Sequence, residues 1–535
     1  MSLVAVAAVL SSMHYEGDVA TTGGDYADVP ITVPAGAVEC DIAHTDGSDF
    51  VILDWGVWAP DGTSRGWGGG NTEDAIIGVD QSSRSYLPGP LTPGTWTVVI
   101  GKAKLDPTTG GHYSIDVTCS DTATLPVLAK ASYMPVTLSP ERRWYKGDFH
   151  VHSEQSGDAK ATFDQIVTLA KSRGLDFVNL SDHNTVAQQA LIEAQQQSYG
   201  DFLFLRGAEI TTYSGHGNGV GIHDYVDHRL GYNGRTVKGI VDDVRAQGGI
   251  FIVNHPMLDL GGSCIGCAWQ HVDDTPWDEV SGMELITGNY DIGVSAFVPR
   301  VLALWDQLED AGHRIAGIGG SDDHTAGMNE GPAGSEIGSP TTLVLADNLS
   351  EAAIIDAVKH GRTIVNLRGP DDPLVEFTAR GPKGATADIG DDIAVDTATF
   401  DVHVAGANGY FVDLMRDGQK AQHVAITSDD WKHTFSDATV GSHRFRVQLI
   451  DETNKPVVIT SHIYADISGA ASGCGCQTSE PGGTVPLALL VLYALNAAGS
   501  RPWRCKSRRK FVRSSPDSRA PSETEPFAFS ITRVR

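Results

Sequence analysis

The chain has 535 residues, which is too long for one hydrophobic core, so we expect two to four domains. Hydrophobic residues make up 41% and charged residues 20% of the chain, a composition that is typical of folded proteins and excludes a disordered one. The formal net charge of −28 argues against nucleic-acid binding, because an acidic surface repels phosphate backbones. The residues after 500 include ten Lys or Arg and three Asp or Glu, a net charge of +7. Residues 1–500 therefore carry a net charge of −35.

The first residues, MSLVAVAAVLSSMHYEG, contain a short apolar stretch that ends in small residues but lacks a basic start. Residues 1–13 are therefore interpreted either as a signal-like leader that has lost its basic head or as a plain apolar leader. The first interpretation is favoured, because the other end of the chain also indicates export.

Residues 14–122 alternate short apolar runs with Gly, Asp, Pro and Thr, as in SDFVILDWGVWAP and GTWTVVIGKAKL. This period-two pattern predicts an antiparallel β-sandwich. Its sequence contains no catalytic cluster, so we expect an accessory or binding module. Cys40 and Cys119 lie near its two ends, where either a disulfide in an exported protein or two buried thiols is compatible with the sequence.

The scattered Pro of residues 123–143 indicates a linker. The sequence pattern then changes over residues 144–369. Helical stretches such as TFDQIVTLAKSRG alternate with compact apolar strands such as GIFIVNHP, which predicts an α/β domain with a parallel sheet and crossover helices. The strands end in His, Asp or Glu. Because active sites of such folds lie at the carboxyl ends of the strands, we expect the chemistry there.

Residues 370–468 return to β patterning and predict a second, smaller β-sandwich, with a hairpin that turns at Asp417–Gly418. In residues 469–510 the motif CGCQTSEPGG precedes an apolar run and the basic cluster RPWRCKSRRK. The run is shorter than the ~20 residues of a spanning helix, but a basic cluster after an apolar segment is typical of a stop-transfer signal. Residues 511–535 are predicted to form a disordered extension.

This tail resembles the C-terminal sorting (MYXO-CTERM) tails of myxobacterial surface proteins, which combine a Cys-containing motif, a short hydrophobic helix and a basic end. Residues 511–535 extend beyond the point where those tails stop. The resemblance implies an exported protein that is attached to the cell envelope at the cell surface or outer membrane, or secreted.

Five motifs in residues 144–369 carry candidate metal ligands. His150 and His152 form an HxH motif, and on a β-strand residues i and i+2 point to the same side, so both imidazoles can reach one ion. One such motif is a weak signal in a chain with 19 histidines, but five in succession, each closing an apolar strand, strongly favour a metal site. The other four motifs contain Asp182 and His183, Glu209 and His216, His255, and Asp322 with His324.

Imidazole and carboxylate ligands suit Zn, Mn or Fe, and a bridging carboxylate lets two cations lie about 3.5–4 Å apart. Such ions turn water into a metal-bound hydroxide at neutral pH and neutralise charge on an ester or phosphoryl oxygen. The motifs therefore fit metal-assisted hydrolysis of an ester or phosphoester.

In their order these motifs resemble the PHP (polymerase and histidinol phosphatase) family. They are more similar still to its carbaryl-hydrolase-like (CehA/McbA) branch, through WYKGDFHVHS, GLDFVNLSDHNT, AEITTYSGHGNGVGI, NHP, GGSDDH and AVKHGRT. The resemblance covers residues 144–369 and implies an α/β fold, a distorted (β/α)7 barrel, with two or three divalent ions (Mn, Zn or Fe) at its carboxyl face. Here the barrel would be flanked by the two all-β sandwich domains.

The resemblance also implies a role for each candidate residue. Glu209 would bridge the first two metal positions, Asp322 would also accept a proton, and Asp182 would orient a neighbouring ligand. Separately from the resemblance, Arg362 in KHGRT is a candidate for binding a phosphate or carboxylate, with a solvated surface position as the commoner alternative for an Arg. His216 is preferred over Asn218 as a ligand. The implied ligand sets are His150, His152, Glu209 and Asp322 for the first position; Glu209, His216 and His255 for the second; and His183, His324 and Asp158, which stands where some family members have His, for the third.

Cys264 and Cys267 form a CxxC motif shortly after His255. A structural zinc site would need a second ligand pair, which the sequence does not offer, so a short-loop disulfide or two free thiols is favoured. We expect this loop to border the substrate pocket.

The leading hypothesis is an exported metal-dependent hydrolase that cleaves a phosphoester or a related small-molecule ester. One alternative is a carbamate or carboxylic ester hydrolase of the same fold. Another is a surface-binding protein whose metal-stabilised barrel is not catalytic. A nuclease or proofreading module is disfavoured by the acidic charge.

Overall fold

The computed structural model describes residues 8–47, 50–127, 132–328 and 334–469. They form a mixed α/β structure that consists mostly of sheets with few helices. No helix within these ranges is long and apolar enough to cross a membrane. Outside the described residues lie residues 1–7 of the predicted leader, the predicted sorting tail from residue 470 and the extension predicted for residues 511–535.

The N-terminal strands form two four-stranded antiparallel sheets whose inward-facing side chains share one apolar core. Alternation of exposed and buried residues drives this arrangement, as Val29, Ile31 and Val33 are buried while the residues between them are exposed. The strands are β1 (Val9–Val19), β2 (Tyr26–Val33), β3 (Glu39–Thr45), β4 (Ile52–Trp58), β5 (Ser64–Gly69), β6 (Ala75–Gly78), β7 (Gly94–Lys104) and β8 (Gly111–Ser120).

The two sheets have the orders β1-β8-β3-β6 and β2-β7-β4-β5. Cys40 on β3 lies directly opposite Cys119 on β8, and the two sulfurs form a disulfide. The predicted leader boundary at residue 13 is wrong, because β1 begins at Val9 and pairs with β8 from there on. The polar residues that alternate through LSSMHYEG give this segment a strand pattern instead.

A mixed sheet occupies residues 143–366. Among its first seven strands, three consecutive strands are parallel to one another, and so are the last three. The strand between these two groups pairs antiparallel with its neighbour on each side. The strands are β9 (Arg143–Val151), β10 (Phe177–Leu180), β11 (Leu203–Thr212), β12 (Gly215–Val220), β13 (Ile250–Val253), β14 (Gly282–Thr287), β15 (Ala316–Gly320), β16 (Thr341–Ala346) and β17 (Thr363–Asn366).

The prediction of a wholly parallel sheet is wrong at β12, which pairs antiparallel with both β11 and β13. Only Tyr213 and Ser214 separate β11 from β12, which leaves no room for a crossover helix. β16 also runs antiparallel to β9, and β17 to β16. The β11–β12 hairpin brings Glu209 and His216 to the same end of the sheet.

Six α-helices in the described residues connect or cover these strands. The first shows why they form where they do: Thr162 and Gln165 make a reciprocal capping box, and Phe163, Ile166 and Val167 bury one face. The helices are α1 (Phe163–Ser172), α2 (Gln188–Gln195), α3 (Val237–Ala246), α4 (Tyr290–Ala296), α5 (Val298–Asp310) and α6 (Glu351–Lys359), with 3-10 turns at Tyr232–Gly234, Gly261–Ser263, Trp277–Glu279 and Pro382–Gly384.

The edge strand β15 curls back onto β9. Asp322 N donates a hydrogen bond to His150 O (2.8 Å), and His152 N donates to Asp323 O (3.0 Å). The carboxyl ends of β9 and β15 therefore lie side by side, although 170 residues separate His152 from Asp322. The (β/α)7 arrangement itself stays a prediction.

The C-terminal strands form a four-stranded sheet and a set of strands that extend the middle sheet, and the two layers share one apolar core. The strands are β18 (Leu374–Arg380), β19 (Thr386–Asp388), β20 (Asp392–Val395), β21 (Ala398–Ala405), β22 (Phe411–Arg416), β23 (Gln419–Ala425), β24 (Asp430–Asp437), β25 (Gly441–Ile450), β26 (Pro456–Thr460) and β27 (Ile463–Ile467).

One of these layers is not a separate sheet. β26 pairs with β17, so a single 15-stranded sheet runs from the middle of the chain into its C-terminal part. The predicted hairpin is confirmed: β22 and β23 are joined by Asp417 and Gly418, whose φ angles of 50° and 75° are both positive, as a tight two-residue hairpin turn requires.

Glu309, near the end of α5, makes the stability of this region depend on pH. Its carboxylate accepts hydrogen bonds from Ile315 N (3.0 Å) and Tyr464 OH (3.2 Å). Burial raises the pKa of Glu309 from 4.5 to about 7. The folded protein therefore keeps this proton where the unfolded chain releases it, and the stabilisation is lost as pH rises from the unfolded to the folded pKa.

We expect Glu309→Gln, which cannot ionise, to gain stability relative to the wild type as pH rises from 5 to 8, by on the order of 1–3 kcal/mol. Urea unfolding of both proteins across this range measures the difference. Glu452→Gln, which removes an exposed carboxylate, is the control. Its free energy of unfolding should differ from that of the wild type by the same amount at every pH. A constant difference between Glu309→Gln and the wild type at all pH values would contradict the prediction.

Candidate metal centre

A cavity of about 740 Å³ opens at the carboxyl ends of the middle sheet, within the size range of small-molecule sites. Seven of the nine predicted metal ligands line it: Asp158, His183, Glu209, His216, His255, Asp322 and His324. The other two, His150 and His152, are fully buried beneath them.

The N-terminal sheets form one wall of this cavity. Asp54, Trp67 and residues 68–72 line it, and Tyr213 OH donates a hydrogen bond to Asp54 Oδ2 (2.7 Å). Arg84 reaches across to Ala159 O (3.0 Å). The region that the sequence suggests is an accessory module therefore shapes the pocket.

The HxH motif meets Asp322 and Glu209 at the ends of β9, β15 and β11. His150 Nε2 lies 3.2 Å from Asp322 Oδ1 and 3.4 Å from Glu209 Oε2. His152 Nε2 lies 3.0 Å and 3.7 Å from the same two oxygens. These four side chains can hold one ion together, and they are the set expected for the first position.

The other carboxylate oxygen of Glu209, Oε1, faces two further histidines, His216 and His255. His216 Nδ1 and His255 Nε2 each lie 3.4 Å from Glu209 Oε1. Glu209, His216 and His255 can also hold an ion, so the carboxylate is placed to bridge two positions. Asn218, the alternative ligand, donates a hydrogen bond through Nδ2 to Phe149 O (2.9 Å).

A third group gathers around Asp158. His183 Nε2 and His324 Nε2 lie 3.4 Å and 3.3 Å from Asp158 Oδ2. His183 also lies 2.9 Å, through Nδ1, from Glu209 Oε2, so the three groups form one continuous cluster.

The cluster has the properties of a metal site. His150 Nε2 and Glu209 Oε2 are buried and have no hydrogen-bond partner, although such atoms are costly to bury unsatisfied. Both atoms point into the space between the side chains. Nitrogen and carboxylate oxygen donors suit Zn, Mn or Fe, so the residues fit the divalent ions that the motifs predict.

Neighbouring charges set the protonation of the cluster. Burial by itself would raise the pKa of Glu209, but His150 and His183 hold it well below its usual range. Burial likewise opposes ionisation of Asp322, whose pKa His150 and His152 nevertheless lower strongly. Both carboxylates are thus anionic at neutral pH and available as ligands. Burial, with help from the neighbouring imidazoles of His324 and His183, lowers the pKa of His152 to about 3, so this imidazole is neutral.

Two of the ligand residues have strained backbones. His255 and Asp322 follow β13 and β15 with φ angles of 28° and 59°, which residues other than glycine rarely adopt. Hydrogen bonds hold both in place: His255 N donates to Glu284 Oε2 (2.8 Å), and Asp322 N donates to His150 O. Such strain is typical of functional sites, where the surroundings fix an unfavourable conformation.

Glu284 on β14 is a further member of the cluster, although none of the five sequence motifs contains it. It is fully buried, and its Oε1 lies 2.9 Å from His150 Nδ1 while its Oε2 accepts from His255 N. A carboxylate on the far nitrogen of a ligating imidazole fixes the ring and raises its basicity. The available signal was the single charged residue in the apolar strand GMELIT.

Asp182 supports the cluster and is not among the groups that can hold an ion. Its carboxylate accepts hydrogen bonds from Ser153 N (2.7 Å) and Ser153 Oγ (2.9 Å), which fixes the residue after His152. Burial raises its pKa to about 7. This placement fits the orienting role that the sequence suggests, and not direct catalysis.

The placement of Arg362 contradicts its predicted role at the site. It precedes β17, where its carbonyl pairs with Leu345 at the end of the sheet where β9 begins. Its guanidinium pairs with Asp391 (3.2 Å), and it does not line the cavity. Because β16 runs antiparallel to β9 and β17 antiparallel to β16, β17 runs in the same direction as β9, and its start lies at the end of the sheet away from the metal centre.

Comparisons with known proteins give limited likenesses. No family model matches the chain. An uncharacterized protein of Methanocaldococcus jannaschii is 25% identical over 121 residues, which cover 21% of this chain and 67% of that protein.

Among solved structures, the chain is similar to a two-domain protein from Bacteroides vulgatus that contains a predicted PHP-like metal-dependent phosphoesterase. The TM-score is 0.34 and the identity 16%, over 63% of this chain and 99% of the other. A glycosyl hydrolase family 2 member from Bacteroides cellulosilyticus matches with a TM-score of 0.17 and 10% identity, over 83% and 63% of the two chains.

Proposed function

We propose that this protein is a metal-dependent hydrolase of the PHP type that cleaves phosphoesters or related small-molecule esters with two or three divalent ions. The observation that carries the proposal is the position of Glu209. One oxygen faces His150 and His152, and the other faces His216 and His255, all at the base of an open cavity. A carboxylate shared in this way is the arrangement that a two-metal site needs.

Divalent ions at such a site would lower the pKa of water and neutralise charge on the oxygens of the scissile ester. The chain's own residues then have separate tasks. His150 and His152 are held rigidly by burial, whereas the Asp322 side chain is 28% exposed at the cavity and can accept a proton from the attacking water. Glu284 keeps His150 and His255 in place for ion binding.

The charge of the pocket favours a second substrate class, a carbamate or carboxylic ester. Asp54 and Asp158 add two carboxylates to those of Glu209 and Asp322, and no Arg or Lys occurs among the described residues that line the cavity. A phosphate monoester dianion would therefore depend on the metal ions alone for its charge neutralisation. Uncharged esters and phosphodiesters avoid part of this cost.

We also propose that the protein is exported and attached to the cell envelope through its C-terminal tail. The Cys40–Cys119 disulfide supports this proposal, because disulfides persist in oxidising compartments. The acidic charge makes nucleic acid an unsuitable partner. Detection of the native protein in envelope and cytoplasmic fractions would test the location.

The activity is tested with the full chain, stripped by a chelator and reloaded with Mn²⁺ or Zn²⁺. The substrates are nitrophenyl phosphate, bis-nitrophenyl phosphate, nitrophenyl acetate and a naphthyl carbamate. We expect metal-dependent turnover that Asp322→Ala lowers by at least about 100-fold. Arg362→Ala, the matched control far from the site, is expected to change kcat/KM by less than about twofold.

The preferred substrate would decide between phosphoester and carbamate or carboxylic ester. Bound metal without turnover on any substrate would favour the non-catalytic, surface-binding alternative. Equal activity of Asp322→Ala and the wild type would contradict the assigned site.

A further inference from the structure

Cys264 and Cys267 close a short loop against the second metal position. Their sulfurs form a disulfide, and both residues line the cavity. Gly266 within the loop has a φ of 79°, and a Cβ at this position would overlap Thr212 O. The loop therefore packs directly on the backbone of the β11–β12 turn, where only glycine fits.

Two carbonyls of this loop bind two of the candidate ligands. His216 Nε2 donates to Ile265 O (3.1 Å), and His255 Nδ1 donates to Cys267 O (3.0 Å). Because a carbonyl only accepts hydrogen bonds, each imidazole carries its proton on that nitrogen.

The other nitrogen of each ring therefore has a free lone pair, which can bind an ion. These are His216 Nδ1 and His255 Nε2, the two atoms that lie 3.4 Å from Glu209 Oε1. One loop thus selects the tautomer and the ring orientation of both imidazoles at the second position. Glu284 binds the backbone of His255 but does not contact its ring nitrogens through any described hydrogen bond.

We infer that the loop 264–267 is the positioning element of the second metal position, and that its disulfide maintains the ion affinity of this position. The inference rests on the proposed function, because it requires ions at Glu209. The disulfide restricts the loop in the folded chain, and opening it frees both carbonyls together. Loss of hydrogen-bond partners behind ligating histidines lowers metal affinity about 10–100-fold.

The test compares Mn²⁺ binding by the metal-stripped full chain before and after treatment with a trialkylphosphine. The phosphine takes oxygen from one water molecule and becomes the phosphine oxide, while the disulfide gains two electrons and two protons and becomes two thiols. Mn²⁺ is the probe because it prefers oxygen and nitrogen ligands to thiolates. We expect reduction to weaken the binding of one ion about 10–100-fold and to leave the other binding unchanged.

Two variants separate the geometry of the loop from thiol chemistry. Cys264→Ser/Cys267→Ser without reductant should show the same loss. Gly266→Ala should also show it with both cysteines present, because its Cβ displaces the loop from Thr212. Cys40→Ala/Cys119→Ala, which removes the distant disulfide, is the matched control and should bind Mn²⁺ like the wild type.

Equal Mn²⁺ affinities of the oxidised and reduced protein would overturn the inference. So would thiolate-to-cobalt absorption in the reduced protein loaded with Co²⁺, since Cys264, Cys267 and His216 also lie close enough to hold an ion themselves. An oxidised protein that binds no Mn²⁺ would instead refute the proposed function, and the inference with it.

Discussion

Glu209→Gln is expected to abolish two-metal binding and to lower kcat/KM by at least about 10³-fold. The substitution keeps the shape of the side chain but replaces one ligand oxygen with an amide NH2, which has no lone pair for an ion. Glu209 is fully buried, and each of its oxygens faces a different pair of histidines. Neither orientation of the amide can therefore serve both metal positions.

Metal content after dialysis and steady-state kinetics measure the two effects. We expect two or three bound ions per wild-type chain and at most one per Glu209→Gln chain. The exposed variant Glu452→Gln should retain the wild-type metal content and activity. Full metal content in Glu209→Gln would show that the carboxylate does not bridge, and that the three groups around it bind ions independently.

The sequence predicted the members of the cluster because most of them end apolar strands. Asp182 and His183 follow β10, His255 follows β13, and Asp322 follows β15. In a sheet with parallel strands these ends converge whatever the order of the strands, so local pattern is enough to bring such residues together. Asp158, in the loop after β9, and His216, near the start of β12, are brought to the cluster by other local features.

Residues whose role depends on contacts between distant segments could not be predicted in this way. Asp54 meets Tyr213 across 159 residues, and no local pattern marks either as a wall of the pocket. Arg362 failed because it precedes its strand: β17 runs in the same direction as β9, so its first residues lie at the end of the sheet away from the metal centre. Strand pairing such as β17 with β26 likewise depends on long-range contacts.

The hairpin at β11–β12 shows how a small local feature changes the site. A gap of two residues, Tyr213 and Ser214, forces β12 to run antiparallel. That reversal brings His216 opposite Thr211, close to Glu209 on the preceding strand, and places the turn against the loop 264–267. The second metal position thus depends on two short loops, one closed by hydrogen bonds and one by a disulfide.

The second large effect is expected at Asp306 on α5, where Asp306→Ala should cost about 3–5 kcal/mol of unfolding free energy. Arg446 is 1% exposed, and its Nη2 donates to Asp306 Oδ2 (2.8 Å) while its guanidinium lies over the Trp305 ring. Removing the carboxylate leaves this buried cation without a counter-charge. Urea unfolding followed by tryptophan fluorescence measures the loss.

Asp310→Ala on the same helix is the matched control. Its carboxylate pairs with Arg444 but is 63% exposed, so its removal should cost less than about 1 kcal/mol. The double variant Asp306→Ala/Arg446→Met should recover much of the lost stability, because it also removes the buried, unpaired charge of Arg446. Recovery stays incomplete, since Arg446 also donates to His462 Nε2 (3.1 Å). Equal costs for Asp306→Ala and Asp310→Ala would mean that water reaches Arg446, and that α5 is held to β25 by apolar packing and not by this ion pair.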